Sequence, residues 1–221
     1  MRIGLFGGTF NPIHFGHLRS ALEVKEDFAL DEVFLIPAAL PPHKPSGEVA
    51  AAADRLHMIG LALEDSPGLK LSDIELKRSG PSYTIDTVQY FKQTLPADSR
   101  IFLIMGLDAF LEIDTWKAYK ELLQEVSFIV VNRPRAGIHT DGFRWKALED
   151  YLQARLSAEY AFDGSRRGFL APGKPPIHVF EVTALDISST GLRRLIRNGR
   201  AIEYLVPRKV AEYIKIKGIY S

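Results

Sequence analysis

The chain opens on Arg2-Ile3-Gly4-Leu5-Phe6-Gly7-Gly8-Thr9-Phe10-Asn11-Pro12-Ile13-His14-Phe15-Gly16-His17-Leu18, a short apolar strand running into a glycine turn and then a helix. That order suits the first unit of a parallel sheet, with the turn placed as a phosphate-handling element. The adjacent Gly7 and Gly8 allow successive backbone N–H groups to turn inward as an anion nest, and a helix starting near Gly16 points its positive end at the same space. His14 and His17 stand where that helix begins, spaced so that both rings can face one anion and donate to oxygens whose charge grows during a reaction. The glycines do not form GxGxxG, and no lysine followed by serine or threonine closes a P-loop, so dinucleotide oxidoreductases and P-loop NTPases are disfavoured. Taken alone, the histidine pair is equally half of a metal site or two polar residues filling a loop.

A second helix start lies far down the chain at Ile187-Ser188-Ser189-Thr190-Gly191-Leu192-Arg193-Arg194. Ser188 or Ser189 can cap it, Leu192, Leu195 and Ile196 supply an apolar face, and Gly199 suits the position just past its end. Arg193 near the start puts a cation at the positive end of the helix dipole, which is unfavourable unless an anion is held there.

The 221 residues are 46% hydrophobic, enough for one sizeable core, and the expectation is a single domain over 1–221. Lys and Arg number 28 against 27 Asp and Glu, so no global basic field points to nucleic acid as a partner. The absence of cysteine excludes disulfides, thiolate metal sites and cysteine nucleophiles. The first residues read as a strand, not as a charged segment before a long apolar one, and no apolar run approaches the ~20 residues of a membrane span. The expected location is the cytoplasm, with no membrane partner; a homo-oligomer is compatible with the sequence.

Periodicity gives strands over 2–6, 32–37, 69–71, 101–105, 127–131 and 177–182, alternating with helices over 17–28, 54–65, 83–94, 115–125 and 143–159. Two further helices, 190–198 and 207–215, make a small C-terminal helical part. The fold class is α/β, a doubly wound parallel sheet, in which ligands bind beyond the carboxyl ends of the strands. The Gly7-Gly8 turn and the Met105-Gly106-Leu107-Asp108 turn both emerge there. Residues 38–53, rich in proline and alanine, read as a mobile loop able to close over a substrate. Residues 135–176 read as one amphipathic helix followed by a flexible connector at Asp163-Gly164-Ser165-Arg166-Arg167-Gly168.

The opening resembles GG(T/S)F(D/N)PxHxGH, the ATP-binding opening of the nucleotidyltransferase superfamily, and the 187–193 stretch resembles that superfamily's second phosphate motif, (I/S)SxTxxR. The resemblance implies a Rossmann-like nucleotidyltransferase fold with His14, His17 and Arg193 as catalytic residues. It implies ATP contacts from Gly7, Gly8, Thr9, Phe10, Ser188, Ser189, Thr190 and Arg193, with Mg²⁺ carried on the ATP phosphates and no metal held by the protein. The middle of the chain is narrower still. Arg78-Ser79-Gly80-Pro81-Ser82-Tyr83-Thr84-Ile85-Asp86-Thr87, Met105-Gly106-Leu107-Asp108, Trp116, Asn132-Arg133-Pro134 and the tail from Val206-Pro207 to Tyr220 resemble the bacterial nicotinate-nucleotide adenylyltransferases. That likeness implies Trp116 stacking on a pyridine ring, backbone N–H groups around Tyr83 and Thr84 meeting its carboxylate, and Lys44, Asp108 and Arg133 near the mononucleotide. Residues 138–176 find no detailed match and are expected to be an insert. The implied reaction moves the adenylyl group of ATP to nicotinate mononucleotide, giving deamido-NAD and pyrophosphate. Transfer to nicotinamide mononucleotide or pantetheine phosphate, a metal hydrolase on His14, His17 and His57 or His43, and a regulatory nucleotide-binding module are the alternatives.

Overall fold

A computed structural model describes residues 1–39, 49–132 and 145–221. Its first six hydrogen-bonded neighbours are parallel, in the order β3-β2-β1-β4-β5-β8, with β7 and β6 added antiparallel at the β8 edge. The strands are β1 (Arg2–Gly8), β2 (Glu32–Pro37), β3 (Leu69–Leu71), β4 (Arg100–Gly106), β5 (Ser127–Asn132), β6 (Ala161–Asp163), β7 (Gly168–Leu170) and β8 (Ile177–Glu181). The order reverses direction between β1 and β4, which is where an open α/β sheet offers its ligand crevice.

The central strands are apolar on both faces, as expected of strands covered by helices on both sides. Ile3 and Leu5 of β1, Ile101, Leu103 and Met105 of β4, and Phe128 and Val130 of β5 face one core. Their alternates, Phe6, Phe102, Ile104, Ile129 and Val131, face the other. The first face is covered by α4 (Thr84–Thr94), α5 (Leu107–Phe110), α6 (Tyr119–Glu125) and α7 (Lys146–Tyr151), which contribute Ile85, Val88, Phe91, Phe110, Leu122 and Leu148. The second is covered by α1 (Phe15–Asp27), α2 (Ala52–Leu63), α8 (Ser189–Arg197) and α9 (Arg208–Lys217), through Val24, Met58, Ile59, Leu192, Val210 and Ile214. Each such side chain stabilises the fold by about 1.5–3 kcal/mol on full burial. Gly4 sits where the second core leaves no room, since a Cβ there would lie 2.8 Å from Ile104 Cδ1 and 2.9 Å from Leu30 Cδ1.

The six expected strands are present, and the differences lie elsewhere. The helix expected over 115–125 is interrupted, because Ala118 takes a left-handed φ of 52°; a 3₁₀ turn (Ile113–Thr115) precedes it and α6 begins only at Tyr119. Of the helix expected over 143–159, the described part is α7 followed by a π turn, Leu152–Leu156, closed by Ser157 N–H donating to Leu152 O. A short helix α3 (Ile74–Lys77) and α5 lie below the length that periodicity detects.

The connector expected at 163–168 is an ordered hairpin turn joining β6 to β7. Asp163 Oδ1 accepts from Ser165 N (2.9 Å), Ser165 Oγ (2.6 Å) and Arg166 N (3.2 Å), bonds that also hold its carboxyl below the usual range. Gly168 then lets β7 approach β8 closely: a Cβ at that position would stand 2.7 Å from Ile177 O.

Candidate active site

β1 does not turn at its glycines. It stays extended through Gly8, paired with Pro37 of β2, and neither Gly7 nor Gly8 has a positive φ. The anion nest expected at the glycine pair is therefore replaced by a reversal two residues later, where Phe10 takes a φ of 48°. The glycines serve by lacking side chains. A Cβ on Gly7 would meet nothing within 4 Å, so that backbone is open to a ligand, while one on Gly8 would lie 3.0 Å from the Phe10 ring.

Phe10 is buried and sets the histidines. Its ring packs edge-on to Phe6 at 5.9 Å and to His17 at 5.0 Å, and the His14 and His17 rings stack at 3.8 Å between centroids. His14 is the N-terminal cap residue of α1 and only 1% exposed. Its side chain makes no capping hydrogen bond, and no acidic residue occupies the first turn, so the positive end of this 13-residue helix is left without a negative side chain of its own.

The second motif is bonded directly to the first. Ser189 Oγ donates to Pro12 O at 2.9 Å, and the buried Arg193 donates from Nη1 to Asn11 O at 3.0 Å and from Nη2 to Thr190 Oγ1 at 3.3 Å. Ser188 caps α8 by accepting from Gly191 N at 3.1 Å. Two helix N-termini free of first-turn acids, those of α1 and α8, thus converge on the Phe10-to-His14 segment. The hydroxyls of Ser188 and Ser189 bond to the protein itself.

A cavity of about 350 Å³ opens beside β1 at the carboxyl ends of β1, β2 and β4. Gly7, Gly8 and Thr9 form part of its wall; Ser82, Tyr83, Thr84 and Trp116 form another part. Tyr83 is the N-terminal cap residue of α4 and makes no side-chain capping bond, which leaves the first-turn N–H groups of an 11-residue helix without a side-chain acceptor there. Lys117, also in the wall, pairs with Asp86 at 3.2 Å and places its ammonium 4.5 Å from the Tyr83 ring centre. Asp108 lies in the first turn of α5, exposed and outside the cavity lining. Lys44 and Arg133 lie outside the described residues, as does most of the loop expected to close.

Several polar groups that no sequence motif marks organise this region. Arg55 of α2 is 1% exposed and donates to three carbonyls: Nε to Ala50 O (3.0 Å), Nη1 to Thr9 O (2.9 Å) and Nη2 to Ala39 O (3.3 Å). Burial pulls its guanidinium pKa below the ordinary arginine value. Asn11 Oδ1 accepts from Ala50 N (3.0 Å) and from the Tyr220 hydroxyl (2.7 Å), tying the tail to the loop; burial pushes the Tyr220 hydroxyl pKa up. The available signal was an arginine among the apolar positions Met58, Ile59 and Ala62 of one helix. Glu75 and Thr87 also line the cavity, with Arg78 behind them.

Among the described residues no group of three or more His, Cys, Asp or Glu side chains could hold a metal ion. His57 of the hydrolase alternative packs on Tyr213 at 4.5 Å, on the α2–α9 side, and His43 lies outside the described residues.

A family model described as cytidylyltransferase-like matches residues 5–195. The chain is 43% identical over 221 residues, all of both chains, to a Desulfatibacillum aliphaticivorans protein named "Probable nicotinate-nucleotide adenylyltransferase". It is 43% identical over 220 residues, 99% of this chain and 97% of the relative, to a Pseudomonas fluorescens protein of the same name. Its fold is similar to the Plasmodium falciparum nicotinic acid mononucleotide adenylyltransferase complexed with NaAD, at a TM-score of 0.70 and 18% identity over 99% of this chain and 97% of that one. No helix among the described residues is long and apolar enough to cross a membrane.

Proposed function

Because this chain belongs to the nicotinate-nucleotide adenylyltransferase family, we propose that it transfers the adenylyl group of ATP to nicotinate mononucleotide. The observation that carries the reading is the shared cavity: Gly7, Gly8 and Thr9, from which the chain runs on through Phe10 to the His14–His17 helix start, line one space together with Tyr83, Thr84 and Trp116. One end suits phosphate, the other an aromatic carboxylate.

The chemistry needs no nucleophilic side chain. A phosphate oxygen of the mononucleotide attacks the α phosphorus of ATP in line, the bond from that phosphorus to the bridging oxygen breaks, and the electron pair leaves with pyrophosphate. Positioning and stabilisation of charge on phosphoryl oxygens then supply the rate. His14 and His17 stabilise the α and bridging oxygens, with backbone contacts from Gly7, Gly8, Thr9 and Phe10. Thr190 and Arg193 attract the leaving pyrophosphate at the α8 terminus, with Ser188 and Ser189 of the same helix start as further ATP contacts. Divalent metal, Mg²⁺ in this reading, arrives as part of the substrate on the triphosphate oxygens, where Mg²⁺ ordinarily binds. Trp116 stacks on the pyridine ring, N–H groups around Tyr83 and Thr84 accommodate the carboxylate, for which the Tyr83 N–H exchanges its 3.1 Å bond to Pro81 O, and Asp108, Lys44 and Arg133 attend the mononucleotide. We read 1–221 as one cytoplasmic domain whose 138–176 insert extends the sheet by β6 and β7.

The test is pyrophosphate release from ATP with a panel of acceptors: nicotinate mononucleotide, nicotinamide mononucleotide and pantetheine phosphate. Release with nicotinate mononucleotide above the others is expected; release only with pantetheine phosphate, or with none, would overturn the reading.

Arg193→Ala should weaken ATP by roughly tenfold or more, as loss of a charged hydrogen-bond donor does, while AMP affinity changes much less. Calorimetric titration with both nucleotides reads this directly. Equal losses for ATP and AMP would move Arg193 away from the distal phosphates.

A further inference from the structure

The cavity read above as taking a carboxylate has a carboxylate in its own wall. Glu75 is 8% exposed and lines the space together with Thr87, Tyr83 and Thr84. A bare anion there would repel an anionic ring and suit an amide, whose NH₂ donates where a carboxylate cannot. The structure shows how that charge is balanced. Thr87 Oγ1 donates to Glu75 Oε1 at 2.8 Å and accepts from Arg78 Nη2 at 2.7 Å, and the Arg78–Glu75 separation is 4.0 Å. Arg78 does not line the cavity: it stands behind Thr87, and its Nη1 is buried without a hydrogen-bond partner among the described residues.

We propose that the Glu75–Thr87–Arg78 chain determines specificity: Arg78, acting through the Thr87 hydroxyl, neutralises Glu75, so that the cavity accepts a pyridine carboxylate instead of the corresponding amide. This rests on the reading of the cavity as the mononucleotide site. Arg78 is a positioning residue, since it touches neither substrate nor reacting atoms. The other charged side chain in the wall, Lys117, is paired with Asp86 outside it at 3.2 Å, so loss of Arg78 would leave the Glu75 charge facing the ring. Glu75 lies in the single helical turn of α3 and Arg78, three residues on, is its C-terminal cap residue, so the turn fixes their relative position while α4 supplies Thr87 between them.

The test measures kcat/KM for nicotinate and nicotinamide mononucleotide, with saturating ATP, in four proteins: wild type, Arg78→Gln, Glu75→Gln and the double variant. Arg78→Gln should lower the nicotinate-to-nicotinamide ratio at least ~10-fold, the scale set by juxtaposing like charges in a closed site. Glu75→Gln should leave the ratio at its wild-type value or raise it, and the double variant should return it to within about threefold of wild type. Arg78→Lys, which keeps the charge, should lose less of the ratio than Arg78→Gln. Equal loss on both mononucleotides in Arg78→Gln, or a double variant no better than Arg78→Gln, assigns the chain a structural role and overturns the proposal. Should Arg78→Gln fail to fold, a Glu75→Gln protein that favours the amide more than wild type does overturns it equally. A wild type that releases pyrophosphate with neither mononucleotide defeats the functional reading itself, which the variants alone do not.

Discussion

His17→Ala is expected to lower kcat at least ~100-fold, the scale for removing one preorganised donor from a developing oxyanion, while the KM for ATP changes by less than about threefold. The physical reason is that a donor aimed at the bridging oxygen gains strength only as charge builds there, so its loss falls on the transition state and not on the ground state. The structure supplies the preorganisation. The His17 ring is held between the His14 ring at 3.8 Å and the Phe10 ring at 5.0 Å, so it costs little reorientation during the reaction. Steady-state kinetics on a variant whose circular dichroism and melting temperature match the wild type checks this. Near-normal kcat in such a protein would remove His17 from catalysis.

Arg55→Leu is expected to be the most damaging substitution away from the reacting atoms. One guanidinium serves Thr9, Ala39 and Ala50, which flank the 40–48 segment and the phosphate wall. Leucine fills part of the volume but leaves three carbonyls without this donor, and each buried unsatisfied group costs about 1–3 kcal/mol. A loss of at least about 3 kcal/mol follows, or a fall in Tm of roughly 6 °C or more for a chain of this size. Arg55→Lys, able to serve one or two of the carbonyls, should lie between. Thermal unfolding followed by circular dichroism reads the series; a Tm within about 1 °C of wild type for Arg55→Leu would show that the carbonyls find other donors.

The parallel part of the sheet was legible because its strands are buried on both faces and so read as continuous apolar runs, such as Ile101 to Met105, between amphipathic helices. The β6–β7 hairpin was not: three-residue strands at an edge carry too few alternations. The signal was nonetheless present in the aromatic pair Phe162 and Phe169, which meet across the strands at 5.3 Å. The helix break at Ala118 left no trace, since alanine favours helix; Trp116 and Tyr119 on either side of the left-handed residue pack against the core.

At the site, glycines and histidines were read from their spacing, and the chain places them at one strand end and one helix start. What spacing misjudged is the work of the glycines, which remain extended and give open space to the cavity while Phe10 makes the turn. Arg55 and the Asn11–Tyr220 bond were missed because their partners lie far away in sequence and are mostly backbone carbonyls or a tail residue; no local pattern records them. Glu75 and Arg78 were hidden differently. An i, i+3 pair on a short helix ordinarily marks a solvated face, and only the fold sets Glu75 in the cavity wall with Arg78 behind it.

Which ring the cavity selects is the decisive property of this site. Nicotinate and nicotinamide mononucleotide differ by a carboxylate against a neutral amide, and stacking on Trp116 cannot distinguish them. Donors at the start of α4 would satisfy two carboxylate oxygens but would face the NH₂ of the amide, leaving a mispaired group at about 1–3 kcal/mol. The deciding measurement is kcat/KM for each mononucleotide with ATP, by pyrophosphate release in the same preparation. A preference of at least ~10-fold for nicotinate mononucleotide is predicted, and equal efficiencies, or a preference for the amide, would contradict it.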